Sequence, residues 1–283
     1  MIDFKKINLI LIVLIALLLS FIVVYNVHKY LKIEAPTFEG LVSARIMGTN
    51  DRDVFLEMVW SVQNPSERNF SISETEMFFY EFGEPIARIY FEEKIRINPR
   101  RSTNIKVYAT IEKHKFESLM YNFIDVYSFN MSGTTRARVL FMKKELKMYQ
   151  FIPINIKEMV TNYLILSFRN AIAVDRVNFY NEASNSEVEF SLRMLNRTGF
   201  DLSIVDFAGD LEINRTISGF NPVIEQVAYL DGVTRGITRL RFSLDQRFVA
   251  NEQPFRYTIS GLMKMILWDT EYIVSIEVSG DKI

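Results

Sequence analysis

Two histidines, His28 and His114, are the only imidazoles in this chain, and no cysteine accompanies them. A zinc site of the usual kind needs several converging His, Cys or carboxylate ligands, so two isolated histidines would need carboxylates to complete it. A Ser-His-Asp triad would have to use His114, and no GxSxG elbow presents a serine to it. His28 abuts an apolar run and His114 opens an amphipathic stretch, where a surface histidine is the expected role. The pair Glu92-Glu93 points to opposite faces if it lies on a strand, and Asp51 and Asp53 fall in a polar loop, where solvation is expected. Neither GxGxxG nor GxxxxGK[ST] occurs, so no phosphate cradle is indicated. The missing cysteine also excludes disulfide frameworks, thiolate metal sites, a cysteine nucleophile and lipidation at a lipobox. These residues carry no reaction, and the expectation is a non-enzymatic protein with no catalytic residue, cofactor or metal.

Charge narrows the partners. Lys plus Arg number 33 and Asp plus Glu 34 in 283 residues, so there is no basic excess of the kind nucleic acid demands. Two local basic runs remain: "NPRR", with Arg100 and Arg101, and "MKKELK", with Lys143, Lys144 and Lys147. They read as solvated loops or as an edge strand kept from aggregating by its lysines. The functional alternative is contact with anionic lipid headgroups, worth about 1 kcal/mol per basic residue near the surface. The apolar residues of "RVLFMKKELKMYQFIPI" fit either a packed core or a groove for an acyl chain.

The elements that would hold these residues begin with an apolar run, Ile7 to Val27, which contains no charge. About 20 residues at ~1.5 Å rise span a ~30 Å hydrocarbon layer. A transmembrane anchor over 7–27 is expected, after a short tail over 1–6 and before a juxtamembrane linker over 28–35. A cleaved signal peptide is the rival; its apolar region would be shorter and end in a small-x-small site. Lys5 and Lys6 on one side nearly balance His28, Lys29 and Lys32 on the other. The expected orientation, taken from the usual behaviour of single anchors, puts the amino terminus in the cytoplasm and the body on the extracytoplasmic side.

Beyond the anchor the chain repeats. A shift of 132 residues lays Leu56, Met58, Trp60 and Val62 on Val188, Phe190, Leu192 and Met194, and Asn64 on Asn196. Both runs alternate as half-buried strands do. "FSI" at 70–72 falls on "LSI" at 202–204, and "YSFNMSG" finds a counterpart in "YTISG", each expected to close a strand on Ser-Gly. Short strands separated by Gly, Asn, Asp and Pro at this spacing predict a mainly β chain of antiparallel sandwiches. The predicted units are a first β-domain over 36–153, a helical connector over 154–171 and a second β-domain over 172–283. Apolar periodicity predicts a helix bearing Phe116, Leu119, Met120, Phe123, Ile124 and Tyr127. It predicts another bearing Ile156, Met159, Val160, Tyr163, Leu164 and Phe168, packed between the domains or lying on a membrane surface.

Asn64-Pro65, ending the first alternating strand, reads as a turn: proline lacks the N–H a central ladder needs, and asparagine bonds backbone two residues on. Asn64, Pro65 and Asn196 are therefore assigned as a structural turn motif. The sequons at Asn69, Asn130, Asn196 and Asn214 matter only in a glycosylating pathway.

An anchor, a strand ending in Asn-Pro, a "[FL]SI" strand, a "YEFGEPIA" hairpin and a late strand with Ser-Gly together resemble the late embryogenesis abundant type 2 family, also called the water-stress and hypersensitive-response domain. The resemblance covers roughly 36–153 and, more weakly, 172–283, where Arg197 replaces the proline. It implies two tandem fibronectin type III-like, immunoglobulin-like sandwiches with a short helix, and a role in stress or desiccation protection at a membrane. Some membrane-bound members of that family are suspected of handling lipids. It transfers no catalytic residue. Three functions follow as expectations: binding or scaffolding at the membrane surface, lipid binding or transfer through an apolar groove, or a structural subunit with a protein partner in a membrane complex.

Overall fold

The computed structural model describes residues 15–26, 36–91, 94–122, 125–139, 142–181, 186–226, 228–232, 234–245 and 254–282. Residues 15–26 form a helix, α1, whose side chains are exposed throughout. Leu17 and Phe21 are 62% and 70% exposed. The rest of the predicted anchor over 7–27, with the tail, His28 and most of the linker, lies outside the described residues. Among the described residues no helix is long and apolar enough to cross a membrane.

The first copy contributes β1 (Thr37–Thr49), β2 (Asp53–Gln63), β3 (Phe70–Glu81), β4 (Glu84–Tyr90), β5 (Ile95–Ile97), β6 (Ser102–Glu112), α2 (Lys113–Asn122), β7 (Val126–Val139) and β8 (Met142–Asn155). After α3 (Ile156–Phe168) the second contributes β9 (Ile172–Asn181), β10 (Ser186–Leu195), β11 (Leu202–Ile213), β12 (Ile217–Gln226), β13 (Ala228–Leu230), β14 (Arg235–Leu244), β15 (Phe255–Leu267) and β16 (Thr270–Lys282). Each copy is one antiparallel eight-stranded sheet. The first runs β1-β2-β6-β4-β3-β7-β8 with β5 on β3; the second runs β9-β10-β14-β12-β11-β15-β16 with β13 on β11. The two orders coincide strand for strand. Each sheet curls until its terminal strands approach each other, β1 toward β8 and β9 toward β16.

Alternation makes the cores. Val54, Leu56, Met58, Trp60 and Val62 of β2 are all buried, as are Val188, Phe190, Leu192 and Met194 of β10. Burying one large apolar side chain is worth about 1.5–3 kcal/mol. The acids Glu57 and Glu189, related by the same shift, are also largely buried. Glu57 pairs with Arg45 at 2.8 Å, and Glu189 accepts from Asn178 Nδ2 at 3.0 Å. The hairpin turn at Phe82-Gly83 recurs at Asn214-Arg215, with all four residues at positive φ.

Two expectations need correction. Ser132-Gly133 and Ser260-Gly261 do not end their strands; β7 and β15 run straight through them. Glycine is needed there because the neighbouring strand comes too close for a Cβ, which would lie 2.6 Å from Met77 Cα in the first copy and from Gly209 Cα in the second. The helix predicted through Tyr127 stops at Asn122, and Tyr127 lies in β7, where pairing of Val126 with Asn155 opens a strand ladder. Phe123 and Ile124 lie outside the described residues. α3 buries the six residues its periodicity indicated. Asn155 caps it by accepting from the Glu158 N–H at 3.0 Å, with Glu158 near the positive end of the helix dipole. It packs on β1 of one copy and β16 of the other.

Candidate functional site

The two asparagine loops share one hydrogen-bond design. Asn64, fully buried, donates from Nδ2 to the Arg68 carbonyl at 2.6 Å and the Ile97 carbonyl at 3.3 Å, and its Oδ1 accepts from Ser66 N–H at 3.0 Å. Asn196, 1% exposed, donates to the carbonyls of Phe200 at 2.7 Å, Asp231 at 2.9 Å and Leu230 at 3.2 Å. Its Oδ1 accepts from Thr198 N–H at 3.0 Å and Thr198 Oγ1 at 2.8 Å. Ser66 and Thr198 occupy the same place, each hydroxyl oxygen accepting from the N–H two residues on, at 3.2 Å and 3.1 Å. In both copies the asparagine amide ties the end of one strand to its own loop and to a distant short strand, β5 in the first copy and β13 in the second. Pro65 starts the first loop, where no ladder N–H is required. Burial and full use of its amide also remove Asn196 from consideration as a glycosylation acceptor. We expect Asn64→Ala to cost about 2–3 kcal/mol, since it strands two carbonyls and an N–H; urea denaturation with an unchanged m-value should show this, and an unchanged midpoint would refute the turn role.

The loops differ in what they face. The Asn196 loop sits against the far end of the first copy. Thr49 Oγ1, closing β1, donates to the Thr198 carbonyl at 2.7 Å; Tyr163 of α3 donates to the same carbonyl at 3.0 Å; Lys113 Nζ donates to the Gly199 carbonyl. Gly199 has φ 76°, and a Cβ there would lie 2.0 Å from Thr49 Oγ1. Phe200 stacks on Phe116 of α2 at 5.9 Å and meets Trp268 edge-on at 4.8 Å. Trp268 and Asp269 form the β15–β16 turn at φ 49° and 59°. That turn carries the indole across the junction to Phe116, 6.0 Å away. Tyr272 packs behind Trp268, and burial pushes its hydroxyl up to about 12. Phe116 is thus shared between the copies.

Glu117 borders this cluster, and its carboxyl is raised above the ordinary range. Desolvation is the main cause and Asp201 adds to it, while Lys113, His114 and a hydrogen bond from Trp268 pull the other way. A raised carboxyl pKa means that folding disfavours the charge. The group leaves stability untouched below its unfolded value and lowers it as pH rises through the folded value. Glu117→Gln should therefore match the parent near pH 4 and be the more stable protein at pH 7, in thermal melts across that range.

The Asn64 loop faces away from the junction, at the end where β1 begins. Thr37 pairs with Gln63, which pairs with Ser102, so the chain leading to residues 7–27 enters here. Arg100 and Arg101 lie in this end, Arg100 at φ 50° and paired with Glu67. Strand register adds residues that the sequence did not single out. Arg96 of β5 and Arg138 of β7 flank Ser71 of β3, and Arg138 pairs with Lys143 of β8. Arg96 and Arg138 are exposed and border one depression with Arg68 and Lys94. Among the described residues Lys94, Arg96, Arg101 and Arg138 make no ion pair. Lys144 pairs with Ala137 beside this row, whereas Lys147 pairs with Thr134, farther along the strand and outside it. Glu39 on β1 lies nearby, its carboxyl held low by hydroxyls of Ser61 and Ser102.

Elsewhere the chemistry stays sparse. His114 is exposed, with Glu112 at 3.5 Å, and among the described residues no three His, Cys, Asp or Glu converge as metal ligands. Asp51 lies in the β1–β2 turn, but Asp53, expected in the same loop, opens β2; Asn50 Oδ1 accepts from its N–H at 2.6 Å. Glu92 and Glu93 lie outside the described residues. A groove of about 560 Å³ runs beside α3, where Leu166, Phe168 and Leu262 share the lining with the polar Arg169, Asn170 and Glu277.

No family model matches the chain. No curated protein matches it either. Among solved structures, the secreted serine protease VesC from Vibrio cholerae aligns over 72% of this chain at 12% identity and a TM-score of 0.21. The chain spans about half of that protease chain, 46%. The YadV chaperone aligns over 88% of this chain and 100% of its own at 10% identity and a TM-score of 0.22. The collagen adhesin of S. aureus aligns over 86% of this chain and 94% of its own, at 9% identity and a TM-score of 0.11. At such scores these likenesses carry no functional argument.

Proposed function

We propose that this is a non-enzymatic, membrane-anchored protein whose two β-domains form one scaffold at a membrane surface. The observation that supports it most is the head-to-tail arrangement. The second copy's asparagine loop seats on the far end of the first, while the first copy's own loop end faces the chain that leads to the apolar run 7–27. The fold class proposed is two tandem fibronectin type III-like sandwiches, and the family proposed is the late embryogenesis abundant type 2 domain. The coincident strand orders and the paired asparagine loops support a shared ancestry of the copies; the family assignment rests on the sequence motifs. On this reading the amino terminus is cytoplasmic and the body extracytoplasmic. Stress protection and a protein partner in a membrane complex belong to the same proposal. Alkaline extraction of native membranes followed by crosslinking tests it. The chain should remain in the membrane pellet and crosslink to a stoichiometric neighbour or to itself; release into the supernatant would overturn the anchor.

The groove beside α3 favours a second reading, lipid binding. Its volume falls in the range of ligand sites, whereas the interiors of the sheets are filled by Trp60, Phe79, Phe129, Phe190 and Phe242. Native mass spectrometry of the full chain should then show a retained lipid, lost in Leu166→Asp; a clean apo mass would sink this reading.

A further inference from the structure

The same fold appears twice, which makes each copy a control for the other. The cross-strand row Arg96–Ser71–Arg138–Lys143 of the first copy corresponds to Tyr229–Ser203–Ile266–Glu271 of the second. Only the serine is common. In the loop, Glu67 and Arg68 stand where the second copy has Gly199 and Phe200. The second copy folds without the basic row, so the row is not a requirement of the fold. Its loop end is instead fitted to protein, through Gly199 and Phe200.

Arg96 and Arg138 flank one strand, so their backbones lie about 10 Å apart, and Lys143 extends the row by one more strand. Lys94, Arg68, Arg100 and Arg101 crowd the same end; Arg100 is paired with Glu67 and Arg68 is also engaged, whereas Lys94, Arg96, Arg101 and Arg138 make no ion pair among the described residues. Isolated like charges at such spacing repel, which a protein tolerates where a counter-charge is supplied from outside. What lies outside is bounded by the chain. Nine residues lie between Val27 and Thr37, so ten Cα–Cα steps join them and, fully extended, reach about 33–36 Å. If 7–27 spans a bilayer, the basic end is tethered within that distance of the headgroups, at high effective concentration.

We propose that the basic end formed by Arg68, Lys94, Arg96, Arg100, Arg101 and Arg138 is a docking surface for the anionic headgroups of the membrane that holds the anchor. It rests on the anchor reading. Docking fixes the tilt of the scaffold on the bilayer, since one tether alone leaves orientation free. Attraction acts within the Debye length, about 8 Å at physiological salt, so the surface binds as a contact. Each basic residue brought to an anionic leaflet favours the docked state by about fivefold.

The test uses the full chain in nanodiscs, either of neutral phosphatidylcholine or with phosphatidylserine added. Hydrogen exchange is followed over 66–71 and 94–101. Docking predicts at least about fivefold slower exchange in the anionic discs alone, lost in 0.5 M NaCl and in Arg96→Gln/Arg138→Gln. The Arg96→Lys/Arg138→Lys protein should keep it, and an unchanged melting temperature shows that the Gln variant is folded. Incorporation into both discs with no lipid-dependent protection overturns the docking surface and leaves the anchor standing. Failure to incorporate overturns the anchor. In that case salt-sensitive sedimentation of the full chain with phosphatidylserine vesicles, lost in the Gln variant, still supports a headgroup surface, and its absence overturns that too.

Discussion

Asn196→Ala lowers the stability of the second copy by roughly 3–5 kcal/mol, the larger of the two asparagine effects. The amide serves three carbonyls and takes two donors, all in a site 1% exposed. Alanine leaves Phe200, Leu230, Asp231 and the Thr198 N–H without that partner, each at about 1–3 kcal/mol where water cannot reach. Relaxation of the loop recovers part of this sum. The loss also spreads, because Thr198 and Gly199 present their carbonyls to Thr49, Tyr163 and Lys113 of the preceding elements. At about 2–4 °C per kcal/mol for a chain of this size, the melting temperature should fall by about 10 °C. Asn196→Asp separates the roles, keeping the acceptor and losing the donors, and should recover only a minor part. A shift under 2 °C for Asn196→Ala would show that the carbonyls find other partners.

Trp268→Ala costs about 3–5 kcal/mol, the range for emptying a buried aromatic site, and its consequence is geometric as well as energetic. The indole is the piece of the second sheet that reaches Phe116, and it holds Phe200 from the side. Its removal leaves the junction with hydrogen bonds from Thr49, Tyr163 and Lys113 and with the Phe116–Phe200 stack, but without the ring that wedges against both. Calorimetry should resolve a parent protein that melts in one transition into two separable ones, with the second copy unfolding first. One undivided transition in the variant would mean that α3, packed on β1 and β16, and the remaining junction contacts couple the copies without the indole.

How much of this was legible in the sequence depends on which contacts are local. The repeat was readable because alternation and the asparagine spacing survive as identity or near-identity at one offset. The role of Asn64 and Asn196 as turns was readable because the asparagine-to-backbone bond spans two residues. The face of α3 followed from its period alone. Ser-Gly misled, because a glycine inside a strand and one at its end look alike until the neighbouring backbone is placed. The junction was hidden for a related reason: Phe116 and Phe200 are far apart in sequence, and nothing in either distinguishes a residue facing its own sheet from one facing the other copy. Trp268 left one weak signal, a large aromatic beside Asp in a turn between two apolar strands. The basic end was half legible. Arg100 and Arg101 are adjacent in the chain, whereas Arg96 and Arg138 meet only through Ser71, a pairing set by strand register.

The central claim, that the two copies form one head-to-tail unit, is tested most directly by a distance. The chain has no cysteine, so cysteines introduced at exposed Tyr149 of the first copy and Ile273 of the second would be the sole sites for spin labels. Pulsed electron resonance on the full chain should give a single narrow distribution that broadens when Trp268→Ala is added. A broad distribution in the parent protein would contradict the account and make the copies independent domains on a hinge.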